Sequence, residues 1–415
     1  MPYQNNRAMH TKHSMSSKAL LCFIICCFQQ IVALSQDTDT LQAQSKIIHR
    51  IEWDVVPSTI LHTNKYLRGE NDVHRTMNHA FSTRLKYAFQ APQGSMKAQI
   101  YKDAYQGLGI AYHNFNPQLG NPVSAFIFQG ARIKSFTSSL SLNYEWNLGL
   151  TFNWHPYDEV NNRENKVIGS KVTAYIDADF YLKWRLSNCF DLNIGISGTH
   201  FSNGNTSIPN AGLNILGGRM SLAYYFNRED EKMIPKRVIP VFKQHISYDF
   251  MVYGAWRKQG LYLDSGPVAL PGNYGVVGFN FTPLYNLNNW FNAGLSLDGV
   301  YDSSTNLYVE DFIVGAGESV NTLDHVVRPS ASKQMALGLS AHAEFVMPYF
   351  TINTGIGRNF INAHGELNGW YQTLALKIDV SRHLFLNIGY SLYDFSTPNH
   401  LMLGLGYHFH HKRDL

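Results

Sequence analysis

Apolar and polar residues alternate with a period of two along most of this chain, and residues 136–154 show the pattern at its clearest. The even positions there include Leu140, Leu142, Tyr144, Trp146, Leu148, Leu150, Phe152 and Trp154. The odd ones are Thr137, Ser139, Ser141, Asn143, Glu145, Asn147, Gly149, Thr151 and Asn153. Successive side chains of a strand point to opposite faces, whereas a helix would mix the two sets within a few residues. A two-residue hairpin in the middle would exchange the parities, so the spacing predicts one long strand. The pattern returns at 242–256, where Phe242, Ile246, Tyr248, Phe250, Val252 and Trp256 oppose Lys243, His245, Ser247, Asp249 and the following Arg257. It recurs at 372–380, 384–392 and 401–409.

A soluble β-sandwich also alternates, but its strands are usually only about five or six residues long. Here the runs are longer, carry aromatics near their ends, and are joined by short links (185–188, 379–383) that alternate with long ones (156–169, 303–330). Outer-membrane barrels show this asymmetry, with short periplasmic turns and longer outer loops. The expectation is an all-β fold, a single transmembrane antiparallel β-barrel over 76–411 with about 14 strands, 12 to 16 being compatible with the length. Lys171, Asp177, Asp179, Arg219, Asp249 and Lys377 read as lumen-facing polar residues. Residues 36–75 lack clean alternation and read as a periplasmic lead-in. His408, His410 and His411 could suggest a metal, but only His408 lies in clear strand alternation, and the group reads as a solvated tail.

Composition narrows the compartment. Arg7, Lys12 and Lys18 precede the apolar run 19–32, and Ala33-Leu34-Ser35 supplies small residues for cleavage, so 1–35 reads as a signal peptide. Three of the four cysteines, Cys22, Cys26 and Cys27, lie in that segment. The rest of the chain keeps only Cys189 and can form no internal disulfide. A net charge of +4, spread evenly, gives no footprint for nucleic acid. Aromatics at 13% with 15% charged residues suit an exported, membrane-embedded β protein.

Candidate chemistry sits where one strand ends. His200 and Ser202 share the parity of Leu192, Ile194 and Ile196, whereas Asp191, Asn193, Ser197 and Thr199 take the other face. In a membrane barrel this aims both toward lipid. A serine hydroxyl needs an adjacent base, and a neutral imidazole is the usual one. After them Asn203 offers an amide to an oxyanion, and Gly204 lets backbone approach. On the next alternating run Asn214 shares the apolar side with Leu216, Met220 and Leu222. A gapless echo relates 192–202 to 386–396, each followed by Pro-Asn. Either neighbouring barrel strands look alike, or a hairpin unit has been duplicated. Asp394 stands where His200 stood.

His200-x-Ser202-Asn203, then Pro209-Asn210-x-Gly212, then Asn214 two positions later, resembles the signature of the outer-membrane lipid A 3-O-deacylases of the PagL type, the acyloxyacyl hydrolases. Ile168-Gly169-Ser170 is similar to that family as well. The resemblance covers about 143–226. It implies His200 as general base, Ser202 as nucleophile, Asn203 as an oxyanion contributor beside Gly204, and hydrolysis of ester-linked acyl chains of lipopolysaccharide through an acyl-enzyme. No metal or organic cofactor is implied, and the partners are lipid A and outer-membrane lipid. Family members are small eight-stranded barrels, so the second half of this chain falls outside the resemblance. The family's third residue is a Glu, and here it is Asn214; Asp177 and Asp179 alternate inward and do not replace it. The alternative is a non-catalytic outer-membrane barrel, pore or structural, that retains a degenerate hydrolase hairpin.

Overall fold

The computed structural model describes residues 46–228, 239–263, 266–270, 272–309, 326–362, 367–395 and 397–410. The segment expected as a signal peptide lies outside them. Strands β1 (Ile48–Ile60), β2 (His79–Gln90), β3 (Tyr105–Asn114), β4 (Val123–Ser135), β5 (Leu140–Phe152), β6 (Val172–Arg185), β7 (Phe190–Ser202) and β8 (Leu213–Tyr225) close one antiparallel barrel. β1 pairs with β8 to seal it.

A second barrel follows. It is built from β9 (His245–Arg257), β12 (Tyr274–Asn288), β13 (Phe291–Asp302), β16 (Met335–Val346), β17 (Phe350–Ile361), β18 (Trp370–Asp379), β19 (Leu384–Tyr393) and β20 (Thr397–Phe409). Here β20 returns to β9. Two of its connections carry small hairpins, β10 (Gly260–Leu263) with β11 (Gly266–Ala269) between β9 and β12, and β14 (Tyr308–Val309) with β15 (Val326–Val327) between β13 and β16.

The expected single barrel of about 14 strands is therefore two barrels of eight. Alternation reports which face a residue takes, and it carries no record of which strand closes a ring. The lead-in expected at 36–75 contains β1, whose Arg50, Glu52 and Asp54 are buried while Ile51 and Trp53 are exposed. Val55-Val56-Pro57 blurs that alternation in the sequence.

Both barrels are apolar outside and polar inside. Ile194, Ile196, Leu216, Met220 and Leu222 are exposed on the first, and Phe250, Val252, Leu403 and Leu405 on the second. A surface of this kind is stable against lipid, since each backbone group is paired around a closed ring.

The first lumen is filled. Arg219 lies 2.7 Å from Glu52 and 2.8 Å from Asp179, Lys86 lies 2.7 Å from Glu145, and Arg84 lies 2.8 Å from Asp177. Losing one partner of such a buried pair leaves an uncompensated charge, typically costing about 3–5 kcal/mol. Nearer the long loops the filling becomes aromatic, with Phe115, Trp154, Tyr175 and Phe201 packed around His113.

In the second lumen Lys377 bridges Asp249 and Glu344. His408, expected in a solvated tail, is buried there with Nδ1 2.6 Å from Asp249, because β20 runs on through Phe409. His410 is exposed, and His411 lies outside the described residues. Asp177, Asp179, Arg219, Asp249 and Lys377 do face inward. Lys171 does not: it is exposed, just before β6 begins.

β4–β5, β6–β7, β16–β17 and β18–β19 are tight turns, whereas β1–β2, β5–β6 and β7–β8 are longer loops at the opposite end; the expected alternation fails at β2–β3, whose connection 91–104 lies at the tight-turn end and includes a short helix, Met96–Ile100. The two barrels touch beside the β16–β17 turn. Trp146 meets Phe350 edge-on at 5.2 Å between ring centres, and the Tyr144 hydroxyl donates to Met347 Sδ at 3.4 Å.

Candidate active site

Register places the residues of interest. His200 lies opposite Asn214 on β8 and Ile176 on β6, and Ser202 lies opposite Ala174. All three polar residues continue the lipid-facing side of their strands and are half-buried, as their parity predicts. Residues i and i+2 of a strand are roughly 6.6 Å apart along it, so Ser202 is the next side chain beyond His200 on that face.

His200 Nδ1 is 2.7 Å from Asn214 Oδ1. An amide oxygen only accepts, so Nδ1 donates, and in the neutral ring the lone pair is on Nε2. Gly212 protects that lone pair from crowding. It sits at φ +74°, and a Cβ there would lie 3.0 Å from His200 Cε1. Among the described residues the Ser202 hydroxyl makes no hydrogen bond, so its partner valences are open.

The loop after Ser202 is tightly organised. Asn203 is buried; its backbone N–H donates to Asn210 Oδ1 at 3.0 Å and its Nδ2 to the Ser207 carbonyl at 2.9 Å. Gly204 takes φ +61°, and its N–H has no partner among the described residues. Asn210, which lies within the Pro-Asn motif but was assigned no role from sequence, therefore holds the backbone next to Ser202.

One flank of this loop is fastened to the β5–β6 loop. Ser207 Oγ donates to Gly169 O at 2.8 Å, Ala211 N–H to Lys166 O and Gly212 N–H to Val167 O, both at 3.1 Å. Gly169 permits the approach, since a Cβ there would fall 2.0 Å from Pro209 O. Ile168-Gly169-Ser170 thus serves as the bed on which the site loop rests.

Two other His clusters escaped the sequence reading: Ser82, His113 and Ser124 lie on three strands, and Ser340 and His342 share β16 but take their third partner, Asn353, from β17. In the first lumen His113 bridges Ser82 and Ser124, each at 2.8 Å. In the second, His342 holds Asn353 Oδ1 at 2.7 Å through Nδ1 and Ser340 Oγ at 2.8 Å through Nε2. Both are buried. The carboxylates of Asp54, Glu145 and Asp179 converge closely enough for a cation, but Lys86, Arg84 and Arg219 already pair with them. The echoing segments prove to be β7 and β19, the seventh strand of each barrel. Asp394 is exposed, with Oδ1 accepting from Trp370 N–H, and Ser396 lies outside the described residues.

Comparison with known proteins decides the family. The family model described as lipid A 3-O-deacylase (PagL) matches residues 80–223, and that described as acyloxyacyl hydrolase, C-terminal domain, matches 246–411. The chain belongs to the PagL family. The first match covers β2 to β8 and leaves out β1, and the second covers the second barrel, so the second barrel is a family feature that the local signature did not reveal.

No curated protein matches the chain. Solved structures similar to it include the ferric enterobactin receptor PfeA, at 10% identity and TM-score 0.23 over 85% of this chain. The chain spans 45% of that receptor's length. Omp33 of Acinetobacter baumannii is 8% identical, with TM-score 0.16, over 88% of this chain and 99% of its own. Likeness at this level carries no argument about the present site.

Proposed function

We propose that this protein is a serine ester hydrolase of the Gram-negative outer membrane that removes ester-linked acyl chains from lipid A. The observation that carries the reading is the 2.7 Å bond from His200 to Asn214 on the lipid-facing side of the first barrel, with an unbonded Ser202 as the next side chain. His200 Nε2 accepts the Ser202 proton as Oγ attacks the ester carbonyl. The Gly204 N–H, on the loop that Asn203 organises, donates to the oxyanion. The imidazolium then returns its proton to the leaving alkoxide, and a water activated by the same ring cleaves the acyl-enzyme.

Membrane position fits this chemistry. The site lies at the long-loop end, which in outer-membrane barrels faces outward. A side-facing site meets an amphiphilic ester whose chains already lie in the bilayer, so no deep pocket is required. Export through cleavage of 1–35 belongs to the same reading.

The second reading is a barrel without activity. Asn214 motivates it, since an amide orients imidazole but cannot stabilise the imidazolium by charge. In a serine protease the same carboxylate-to-amide exchange costs about 10⁴ in turnover by favouring the wrong tautomer. A pore is the weaker form of this alternative, because ion pairs and aromatics fill the first lumen.

The deciding experiment incubates the purified full chain with lipopolysaccharide and reads lipid A by mass spectrometry. Loss of an acyl group with the unmodified protein, absent for Ser202→Ala and His200→Ala, supports the enzyme. Unchanged spectra throughout would remove it.

A further inference from the structure

The site loop has two flanks, and only one of them is held by its own barrel. Ser207, Ala211 and Gly212 are fastened to the β5–β6 loop, as described above. On the other flank the neighbours come from the second barrel. The Lys258 N–H, immediately after β9, donates to the Asn205 carbonyl at 2.8 Å. Leu401 of β20 abuts Gly204 so closely that a Cβ on the glycine would lie 3.0 Å from both Cγ and Cδ2 of the leucine. Gly204 is buried as a result.

These two contacts converge on adjacent residues with left-handed backbone, Gly204 at φ +61° and Asn205 at φ +64°. They also come from neighbouring strands, since β9 and β20 form the closure seam of the second barrel. From Asn205 the connection continues inward. Asn205 Oδ1 accepts from Asn210 Nδ2 at 3.3 Å, and Asn210 Oδ1 accepts from the Asn203 N–H. A short hydrogen-bonded path therefore links the seam to the backbone following Ser202.

We infer that the second barrel is a positioning element for the first barrel's ester-hydrolase site. Leu401 and the Lys258 N–H hold Gly204 and Asn205 in the conformation that turns the Gly204 N–H toward the reacting ester. This rests on the proposed hydrolase function and deepens it, because it gives the second barrel a task in the same reaction. Neither residue touches the reacting atoms, so each acts through the loop. A displacement of about 1 Å in an aligned site can cost on the order of a hundredfold in rate, which makes a packing contact of this kind consequential.

Leu401→Ala removes the contact on Gly204 and leaves the β20 backbone intact; Lys258→Pro removes the donor to Asn205. Activity on lipid A in detergent should fall about tenfold in kcat, with KM changed by less than about twofold, because ground-state binding of the lipid is untouched. Leu401→Met, which conserves volume, should restore the rate. Leu405→Ala, on the same face of β20 but further from the loop, should leave it unchanged. Hydrogen–deuterium exchange of the amides of 203–206 provides a readout that does not need turnover. It should quicken in Leu401→Ala and Lys258→Pro, while strand amides of both barrels stay protected. Unaltered kcat and exchange in folded Leu401→Ala protein would overturn the inference, as would a change in KM alone. If the unmodified protein cleaves no lipid ester but the exchange still responds, the hydrolase reading fails and the positioning contact stands.

Discussion

Each barrel contains a histidine whose Nδ1 lies 2.7 Å from an asparagine Oδ1, with a serine two residues away from that histidine on the same strand. In the first barrel this is His200, Asn214 and Ser202, facing out and half-buried. In the second it is His342, Asn353 and Ser340, facing in and buried. The inner set is complete: Ser340 Oγ bonds His342 Nε2 and also donates to Asp298, and Asn353 Nδ2 donates to Glu344. In the outer set both the Ser202 hydroxyl and His200 Nε2 remain open. A fully satisfied polar cluster rigidifies a core, because every partner it needs is already present. A reactive cluster must keep valences that a substrate can fill. Hydrogen-bond geometry alone would rank the inner set first.

The largest expected contrast is catalytic. Ser202→Ala should reduce lipid A deacylation by about 10³ or more, as loss of a nucleophile does. Ser340→Ala should leave the rate within about twofold. Equal losses from the two substitutions, read from the same mass spectra, would dissolve the distinction.

Stability should show the opposite order. His342→Ala strands Asn353 and Ser340 in the second lumen and should cost about 1–3 kcal/mol, the penalty of unpaired buried polar groups. His200→Ala, on a half-exposed rim, should cost less than about 0.5 kcal/mol. Urea midpoints followed by the heat-modifiable gel mobility of the detergent-solubilised protein measure both. A greater loss for His200→Ala would make the outer pair structural.

The smallest effect is the most informative about mechanism. Asn214→Glu supplies a charge beside the His200 ring at the loop end of β8. It should raise turnover about tenfold, roughly 1.4 kcal/mol of barrier. If it instead abolishes a measurable activity, Asn214 has a role of its own that a carboxylate cannot fill.

Much of this was legible from residue order, within definite bounds. Parity along β7 and β8 placed His200, Ser202 and Asn214 on one outer face, because a strand's two-residue period is a local property. Parity likewise turned Asp177, Asp179 and Arg219 inward. Ring closure was not legible. Whether β8 returns to β1 or continues into β9 depends on backbone pairing between segments 150 or more residues apart, and pairing leaves no mark on side-chain type. β1 itself was overlooked because Val56 and Pro57 interrupt its alternation. His408 lay in the 401–409 alternation, but residue order does not show that its partner across the seam is Asp249 of β9. The Asn210 bond to the Asn203 N–H needed the folded loop, since it joins residues seven apart through a turn that periodicity does not describe.

Each barrel closes on its own first and last strands, and this has a consequence for assembly. The protein is two consecutive rings, each sealed without an edge borrowed from the other. Insertion into the membrane can therefore proceed as two separate sealing events, with 48–225 and 245–409 each delivered as an uninterrupted length of chain. Splitting the gene within the connection between β8 and β9 would leave no unpaired strand in either product. Two polypeptides made from such halves should each insert, and what they would have to rebuild between them is the side-chain and loop contacts at Gly204, Asn205 and beside the β16–β17 turn rather than any part of a sheet.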